Sequence, residues 1–289
     1  MASLLTLRRE LFHQELVMTG TLSITGGIAS NADSSQRTSS RIALHVATAL
    51  GAQEHGRKLS GQSAGRAFEA AVRNLLAGTF PELTTLRPGR WDILNVGSSR
   101  GEYHLAKFEP FTHLDTLAQA IERDETLVSV LGNSYSISPD VFITREPESD
   151  DVINAAGKGH QLVDEKSGLR SIIRSANQEE PIVHAVVSCK WTLRSDRAQN
   201  ARSEALNVIR NRKGRTPHIV VVTAEPTPSR LASLALGTGD IDMVYHFALP
   251  ELVAAVSASG NDEAQAMLHI LVDGQRLRDI SDLPLDLCV

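Results

Sequence analysis

The sequence predicts an α/β fold with a central mixed sheet flanked by helices. Two observations predict it: short β-branched runs of strand length follow Pro139, and helical patterns separate these runs. The strand-like runs are 140–144, 181–190, 218–225 and 242–249, and the helical patterns are 197–212, 229–237 and 250–258. Strands that alternate with helices imply a sheet that is at least partly parallel and carries helices on its faces.

The part of the chain before Pro139 is predicted to be mostly helical. Apolar residues recur at helical spacing in the segments 4–17, 41–51, 65–78 and 114–132. The polar, Gly/Ser-rich stretch from about 20 to 40 is predicted to be a surface loop. Residues from about 145 to 180 are polar and irregular, and we interpret them as an excursion within a single domain that spans residues 1–289.

The composition excludes several classes of protein. Of the 289 residues 42% are hydrophobic and 4% are aromatic, so we expect a core built mainly from aliphatic side chains. No apolar run approaches the roughly 20 residues that a membrane helix needs, and the N-terminal segment becomes charged too early for a secretory signal. We therefore expect a cytoplasmic protein without a membrane partner. Cys189 and Cys288 form neither a disulfide framework nor a zinc site.

Positive charge is concentrated in one segment of an otherwise acidic chain. The formal net charge is −5, yet eight basic residues and only two acidic ones lie between Lys190 and Arg215. Such a segment is typical of a site for a polyanion, and an ordinary solvated helix face is the alternative.

Three charged residues have the spacing of a phosphodiester-cleaving site. Asp140 begins one predicted strand, Lys190 ends another, and Glu204 lies in the next helix. Hydrolysis of a phosphodiester needs carboxylates that hold magnesium and a cation or base near the attacking water. Because strand side chains alternate, Ser188 and Lys190 share a face, and we expect Lys190 to face Asp140 across adjacent strands. Each residue alone is also typical of a strand cap or of surface charge, and only the combination favours a nuclease.

The segment 194–197 is the candidate reader of DNA bases. Arg194 and Arg197 have the side chains that donate in bidentate fashion to guanine, and Asp196 has the carboxylate that accepts from cytosine. The alternative is a capping box, in which Asp196 begins the helix. Both interpretations can hold at once. A second Asp-x-Lys pattern at 164–166 lies in the irregular excursion, and we rank it below the first.

Long stretches of the sequence resemble a known nuclease family. The run from Ser188 to Arg230 resembles the NgoMIV-type type II restriction endonucleases, which belong to the PD-(D/E)XK nucleases. The resemblance extends to 30–33, 61–70, 137–140, 235–249 and 279–287, and it is weakest after Thr144. It implies the restriction-endonuclease-like core, with Ser188 at the position where many relatives carry a second acidic residue.

The resemblance also implies roles for single residues. Catalysis is assigned to Asp140, Lys190 and Glu204 together with Ser188 and Glu69, and Glu69 is expected to assist the metal site. The expected Mg²⁺ ligands are Asp140, Glu204 and the backbone carbonyl of Cys189. The inner CCGG is expected to be read by Arg194, Asp196 and Arg197, and the outer G·C pairs by Asp33, Gln62 and Arg230.

The implied activity is magnesium-dependent cleavage of double-stranded DNA at GCCGGC, a G·C-rich palindrome. The resemblance further implies a homotetramer of two dimers and a companion DNA methyltransferase that acts on the same sequence without a stable complex. Two other classes stay open: a structure-selective PD-(D/E)XK repair nuclease, and a DNA-binding protein that no longer cleaves.

Overall fold

A computed structural model describes residues 2–54, 59–95, 104–123, 126, 129, 139–193, 195–237 and 239–289, without the side chains of 195–198. Its centre is a mixed sheet of six strands: β3 (Trp91–Asn95), β4 (Val141–Arg145), β5 (Ile182–Lys190), β6 (His218–Thr223), β7 (Met243–His246) and β8 (Leu277–Asp279). The strands lie side by side in chain order. The pairs β3–β4 and β4–β5 are antiparallel, and the following pairs are parallel.

Helices cover this sheet, and the predicted fold class is confirmed. They are α1 (Leu4–Met18), α2 (Arg37–Ala49), α3 (Gly61–Ala77), α4 (His113–Glu122), α5 (Asp150–Ala155), α6 (Ser195–Asn211), α7 (Pro228–Ala235), α8 (Leu249–Ala258), α9 (Asp262–Asp273) and α10 (Leu283–Asp286), with 3₁₀ turns at Phe80–Glu82 and Leu105–Lys107. No helix within the described ranges is long and apolar enough to cross a membrane.

Alternation along the strands gives the sheet two different faces. Val141, Val187 and Cys189 belong to the core that includes α1, α2 and α3. Phe142 and Val186 belong to a second core, which includes apolar residues of α6. Because side chains alternate, Asp140, Ser188 and Lys190 lie on the face that α6 covers. The fold thereby places a polar strand end beneath a helix.

The segment predicted as a surface loop is partly buried. Two short strands, β1 (Ile24–Thr25) and β2 (Ile28–Ala29), form a hairpin whose turn residues Gly26 and Gly27 both have positive φ. Glycine adopts these angles without strain, which explains the hairpin in a stretch that looks like a loop. Asn31 is also buried, and its side-chain amide donates to the Ala224 carbonyl oxygen at 2.8 Å. The polar composition gave no indication of this burial, because polar residues are ordinarily exposed.

Other differences from the prediction have local causes. Helix α3 begins four positions before the predicted 65–78 because the Ser60 hydroxyl accepts from the Ser63 backbone N–H at 3.1 Å. The excursion contains the short helix α5, and Arg174 fastens it with bonds of 2.5 and 2.6 Å to Asp150. The prediction also missed β3, β8, α9 and α10. Part of the predicted helix 114–132 lies outside the described residues.

A buried histidine predicts how stability depends on pH. His184 donates from Nε2 to the Leu287 carbonyl at 2.8 Å, and its Nδ1 accepts from Arg215 at 3.2 Å, so the ring is neutral. Burial, opposed by the bond to Leu287, lowers the pKa of His184 to about 3. The unfolded value is near 6.5, so the contribution to stability is complete above pH 6.5 and declines as the pH falls towards 3.

We expect the free energy of unfolding to fall by about 2 kcal/mol between pH 6.5 and 5 from His184 alone, at about 1.4 kcal/mol per pH unit. Urea denaturation at the two pH values measures it. The His184→Gln variant should show a correspondingly smaller decline, whereas the variant of an exposed histidine, His160→Gln, should behave like the parent. Equal declines in all three proteins would contradict the assignment.

Candidate active site

Three elements bring the candidate catalytic side chains together. Asp140 directly precedes β4, Lys190 is the last residue of β5, and Glu204 lies in α6. The Lys190 ammonium donates to Asp140 Oδ2 at 3.4 Å and to Glu204 Oε2 at 3.3 Å. One amine therefore bridges two carboxylates that are 64 residues apart in the chain.

Backbone and side-chain bonds hold this arrangement. Asp140 Oδ2 also accepts from the Cys189 backbone N–H at 2.7 Å, which fixes the carboxylate against the end of β5. The Ser188 hydroxyl donates to Glu204 Oε2 at 3.1 Å. The side chains of Asp140 and Lys190 are 14% exposed, whereas that of Glu204 is 47% exposed. The site is thus an edge where buried charges meet solvent, accessible to a large substrate.

The environment keeps Lys190 charged. Burial by itself lowers the pKa of an amine, yet the neighbouring carboxylates of Asp140 and Glu204 outweigh it and raise the pKa of Lys190. Burial also raises the pKa of the Cys189 thiol well above its usual range, and the charges of Asp140 and Glu69 add to this effect. Glu69, on α3, therefore lies near the strand end from the other side of the sheet. Both cysteines are free thiols.

The donor set fits a magnesium ion. Among the described residues, no group of three or more His, Cys, Asp or Glu side chains is arranged to hold a metal. Magnesium does not need such a cage, because it keeps several waters and takes one or two carboxylates together with phosphate oxygens of the substrate. Asp140 and Glu204 supply two carboxylates beside an exposed surface, and Cys189 supplies a backbone carbonyl at the same strand end.

The candidate outer readers include an ion pair that the sequence did not predict. The Arg230 guanidinium donates to Asp33 Oδ2, although 197 positions separate them. Hydrogen bonds from Ser35 and Arg230 hold the pKa of Asp33 well below its usual range. Gln62 is exposed in the first turn of α3. The structure therefore joins two of the three predicted residues.

The candidate inner reader cannot be placed in the same way. Arg194 lies outside the described residues, as do the side chains of Asp196 and Arg197, while the backbone at 195–197 forms the start of α6. The capping box and base reading therefore both stay predictions.

Part of the basic segment serves the fold. Arg202 donates to the Ser233 and Leu234 carbonyls at 2.9 and 3.2 Å, and Arg215 donates to His184 at 3.2 Å. These arginines have internal partners, so the count of basic residues overstates the charge available to a polyanion.

Comparison with known proteins decides the family. The family model described as NgoMIV restriction enzyme matches residues 12–289. The chain is 47% identical over 290 residues to the Type II restriction enzyme NgoMIV of Neisseria gonorrhoeae, covering 100% of both chains. This chain belongs to the NgoMIV restriction enzyme family. It is a type II restriction enzyme, that is, a site-specific deoxyribonuclease.

A solved structure of the restriction endonuclease PspGI with substrate DNA is also similar, with 13% identity and coverage of 87% of this chain and 92% of that chain. Its TM-score of 0.27 is too low to bear on the fold.

One residue of this NgoMIV-family site escaped the sequence analysis. Glu225 follows β6, and its side chain is 0% exposed, with Arg230 Nη1 at 3.7 Å from its Oε2. In the sequence, Glu225 ends a long apolar run and directly precedes Pro226, which does not by itself indicate burial. The sequence predicts position 225 as the last residue of the strand-like run 218–225, whereas β6 ends at Thr223.

Proposed function

We propose that this restriction enzyme cleaves double-stranded DNA at GCCGGC with magnesium as its cofactor. The observation that carries the proposal is the bridge from Lys190 to Asp140 and Glu204 at 3.4 and 3.3 Å. It supports catalytic roles for these three residues and ligand roles for Asp140, Glu204 and the Cys189 carbonyl. Family membership supports the sequence-specific activity.

The chemistry is hydrolysis of a phosphodiester. Water loses a proton to solvent and attacks phosphorus, a new P–O bond forms, one ester P–O bond breaks, and the leaving oxygen takes up a proton from solvent. Magnesium held by Asp140 and Glu204 would stabilise negative charge on phosphate oxygens and acidify bound water. Lys190 is a cation between the carboxylates, so it orients the water and counters the charge that develops on the phosphate. Ser188 orients Glu204 through its hydroxyl.

The Asp33–Arg230 pair matches one G·C base pair. An arginine donates in bidentate fashion to O6 and N7 of guanine, and an aspartate accepts from N4 of cytosine. Because the two side chains lie against each other, the arginine donors for guanine and the aspartate acceptor for cytosine are found at one place on the protein. We propose that they read the outer G·C pairs together with Gln62, and that Arg194, Asp196 and Arg197 read the inner CCGG.

A palindromic target calls for a symmetric protein. Two identical half-sites are read by two copies related by a twofold axis, so at least a dimer is needed, and we propose the homotetramer. A companion methyltransferase acting on the same sequence in the cytoplasm would protect host DNA.

Sequencing the ends of digested random DNA tests the function. We expect all ends to map to GCCGGC with magnesium, and no cleavage when the metal is chelated. Ends at branched or nicked structures irrespective of sequence would favour the repair nuclease, and specific binding without cleavage would favour the non-cleaving protein.

Replacing Arg230 tests base reading. We expect Arg230→Ala to weaken binding of the GCCGGC duplex about 10- to 100-fold, with a much smaller effect on random duplex, because base contacts carry sequence information. Fluorescence anisotropy with both duplexes measures this. Arg276→Ala, on the loop before β8, is the control for lost charge. Equal losses on the two duplexes would identify Arg230 as a phosphate contact.

A further inference from the structure

A single buried carboxylate touches the segments that carry both proposed base readers. Glu225 lies just beyond the end of β6, and its side chain is fully buried. Burial raises the pKa of Glu225, against the opposing effects of hydrogen bonds from Leu193 and Thr227 and of the charge on Arg230. Burying an acidic group costs free energy of folding unless polar partners surround it, so the partners of Glu225 indicate what its burial serves.

One partner comes from a distant segment, and two follow Glu225 closely in the chain. Glu225 Oε2 accepts from the Leu193 backbone N–H at 2.8 Å, and Oε1 accepts from the Thr227 backbone N–H at 3.1 Å. The Arg230 guanidinium lies 3.7 Å from Oε2. Oε2 therefore lies between the backbone at Leu193 and the guanidinium of Arg230.

These segments lead directly to the proposed readers. Leu193 immediately precedes the 194–197 segment, and Thr227 immediately precedes α7, which carries Arg230. Arg230 in turn pairs with Asp33. The neighbouring residue Ala224 makes two further hydrogen bonds. Its carbonyl oxygen accepts from the Asn31 side-chain amide at 2.8 Å, and its backbone N–H donates to the Lys190 carbonyl at 3.3 Å.

We propose that Glu225 is a positioning residue for sequence specificity, whose carboxylate joins the backbone that leads into the 194–197 segment to the guanidinium of Arg230. The inference rests on the proposed function and deepens it. Glu225 touches no base itself. It acts through the backbone at Leu193 and through the Arg230 guanidinium, so discrimination at the inner and the outer base pairs is coupled.

The Glu225→Gln variant tests the coupling. Glutamine keeps the shape but replaces one acceptor oxygen with an NH₂ group, which faces a backbone N–H at either Leu193 or Thr227. We expect discrimination against a substituted outer pair and against a substituted inner pair each to fall about 10- to 100-fold, because a buried charged hydrogen bond is lost. The readout is kcat/KM on three duplexes: the cognate, one with a changed outer pair and one with a changed inner pair. KM should rise more than kcat falls.

Asp279→Asn is the matched control. Asp279 is also a buried carboxylate at a strand end, accepting from the Leu249 backbone N–H at 3.0 Å and from Arg9 at 2.9 Å. It should lose thermal stability and keep its discrimination. Unchanged discrimination at either base pair in Glu225→Gln, or the same loss in Asp279→Asn, would overturn the proposal.

A measurement on the parent protein covers the case in which Glu225→Gln does not fold. Cognate duplex should slow amide exchange at Leu193 and Thr227 together, and random duplex should slow neither. Protection of one segment without the other overturns the coupling. A parent that cuts without sequence preference contradicts the proposed function as well, whereas a specific parent with an equally specific Glu225→Gln variant contradicts the coupling alone.

Discussion

The Asp140→Ala variant should cleave GCCGGC duplex more than about 10³-fold more slowly than the parent, while still binding it. Asp140 is bound to the end of β5, accepting from the Cys189 N–H at 2.7 Å and from Lys190 at 3.4 Å. Its removal takes away a proposed metal ligand and the fixed partner of Lys190 together, an effect of several kcal/mol on the transition state. Binding should survive because the removed group is an anion that faces phosphate. Single-turnover cleavage and equilibrium binding measure the two effects.

A matched aspartate separates chemistry from folding. Asp242 directly precedes β7, just as Asp140 precedes β4, and its Oδ2 accepts from the Ile219 backbone N–H at 2.8 Å. Asp242→Ala therefore removes the same kind of bond from the same kind of position, without a partner such as Lys190. It should lose stability and keep its cleavage rate. An Asp140→Ala variant that cuts at the parent rate would remove Asp140 from the mechanism.

Local periodicity made the catalytic cluster predictable. Strand alternation put Ser188 and Lys190 on one face, and the structure shows both bonded to Glu204 from that face. Glu204 was predictable because α6 must pack its apolar side on the sheet. This packing turns the adjacent polar stripe, which contains Glu204, towards the end of β5. The strands β4 to β7 were visible because each is a short run rich in apolar and β-branched residues.

Contacts that depend on long-range packing were not predictable. The Asp33–Arg230 pair joins a segment that looked like an exposed loop to a helix 197 positions away. Glu225 carried no sign of burial, because a glutamate is ordinarily a surface residue and its partners are mainly backbone groups. The strands β3 and β8 lie at the two edges of the sheet, and their sequences WDILN and LRD lack the apolar, β-branched run that revealed the inner strands.

Lys190→Met should lower kcat about 10²- to 10⁴-fold, with a smaller change in KM. The methionine keeps the apolar stem and removes the cation, so Asp140 and Glu204 face each other without the amine that bridges them at 3.4 and 3.3 Å. An interaction that orients water and counters developing charge is lost mainly in the transition state, so the effect falls on kcat. Lys190→Arg should restore little, because a planar guanidinium cannot take the place of a compact amine between two carboxylates.

The competing Asp-x-Lys pattern supplies the control. Asp164 Oδ1 accepts from the Lys166 backbone N–H at 2.9 Å and from the Ser167 hydroxyl at 2.8 Å, so this carboxylate closes a turn on an exposed segment. Lys166→Met removes the same charge from that turn and should cleave at the parent rate. If Lys166→Met were the slow variant and Lys190→Met the fast one, the chemistry would belong to the excursion. The geometry favours Lys190, since its amine bonds to two carboxylates from different elements of the fold, whereas Asp164 is occupied by its own turn.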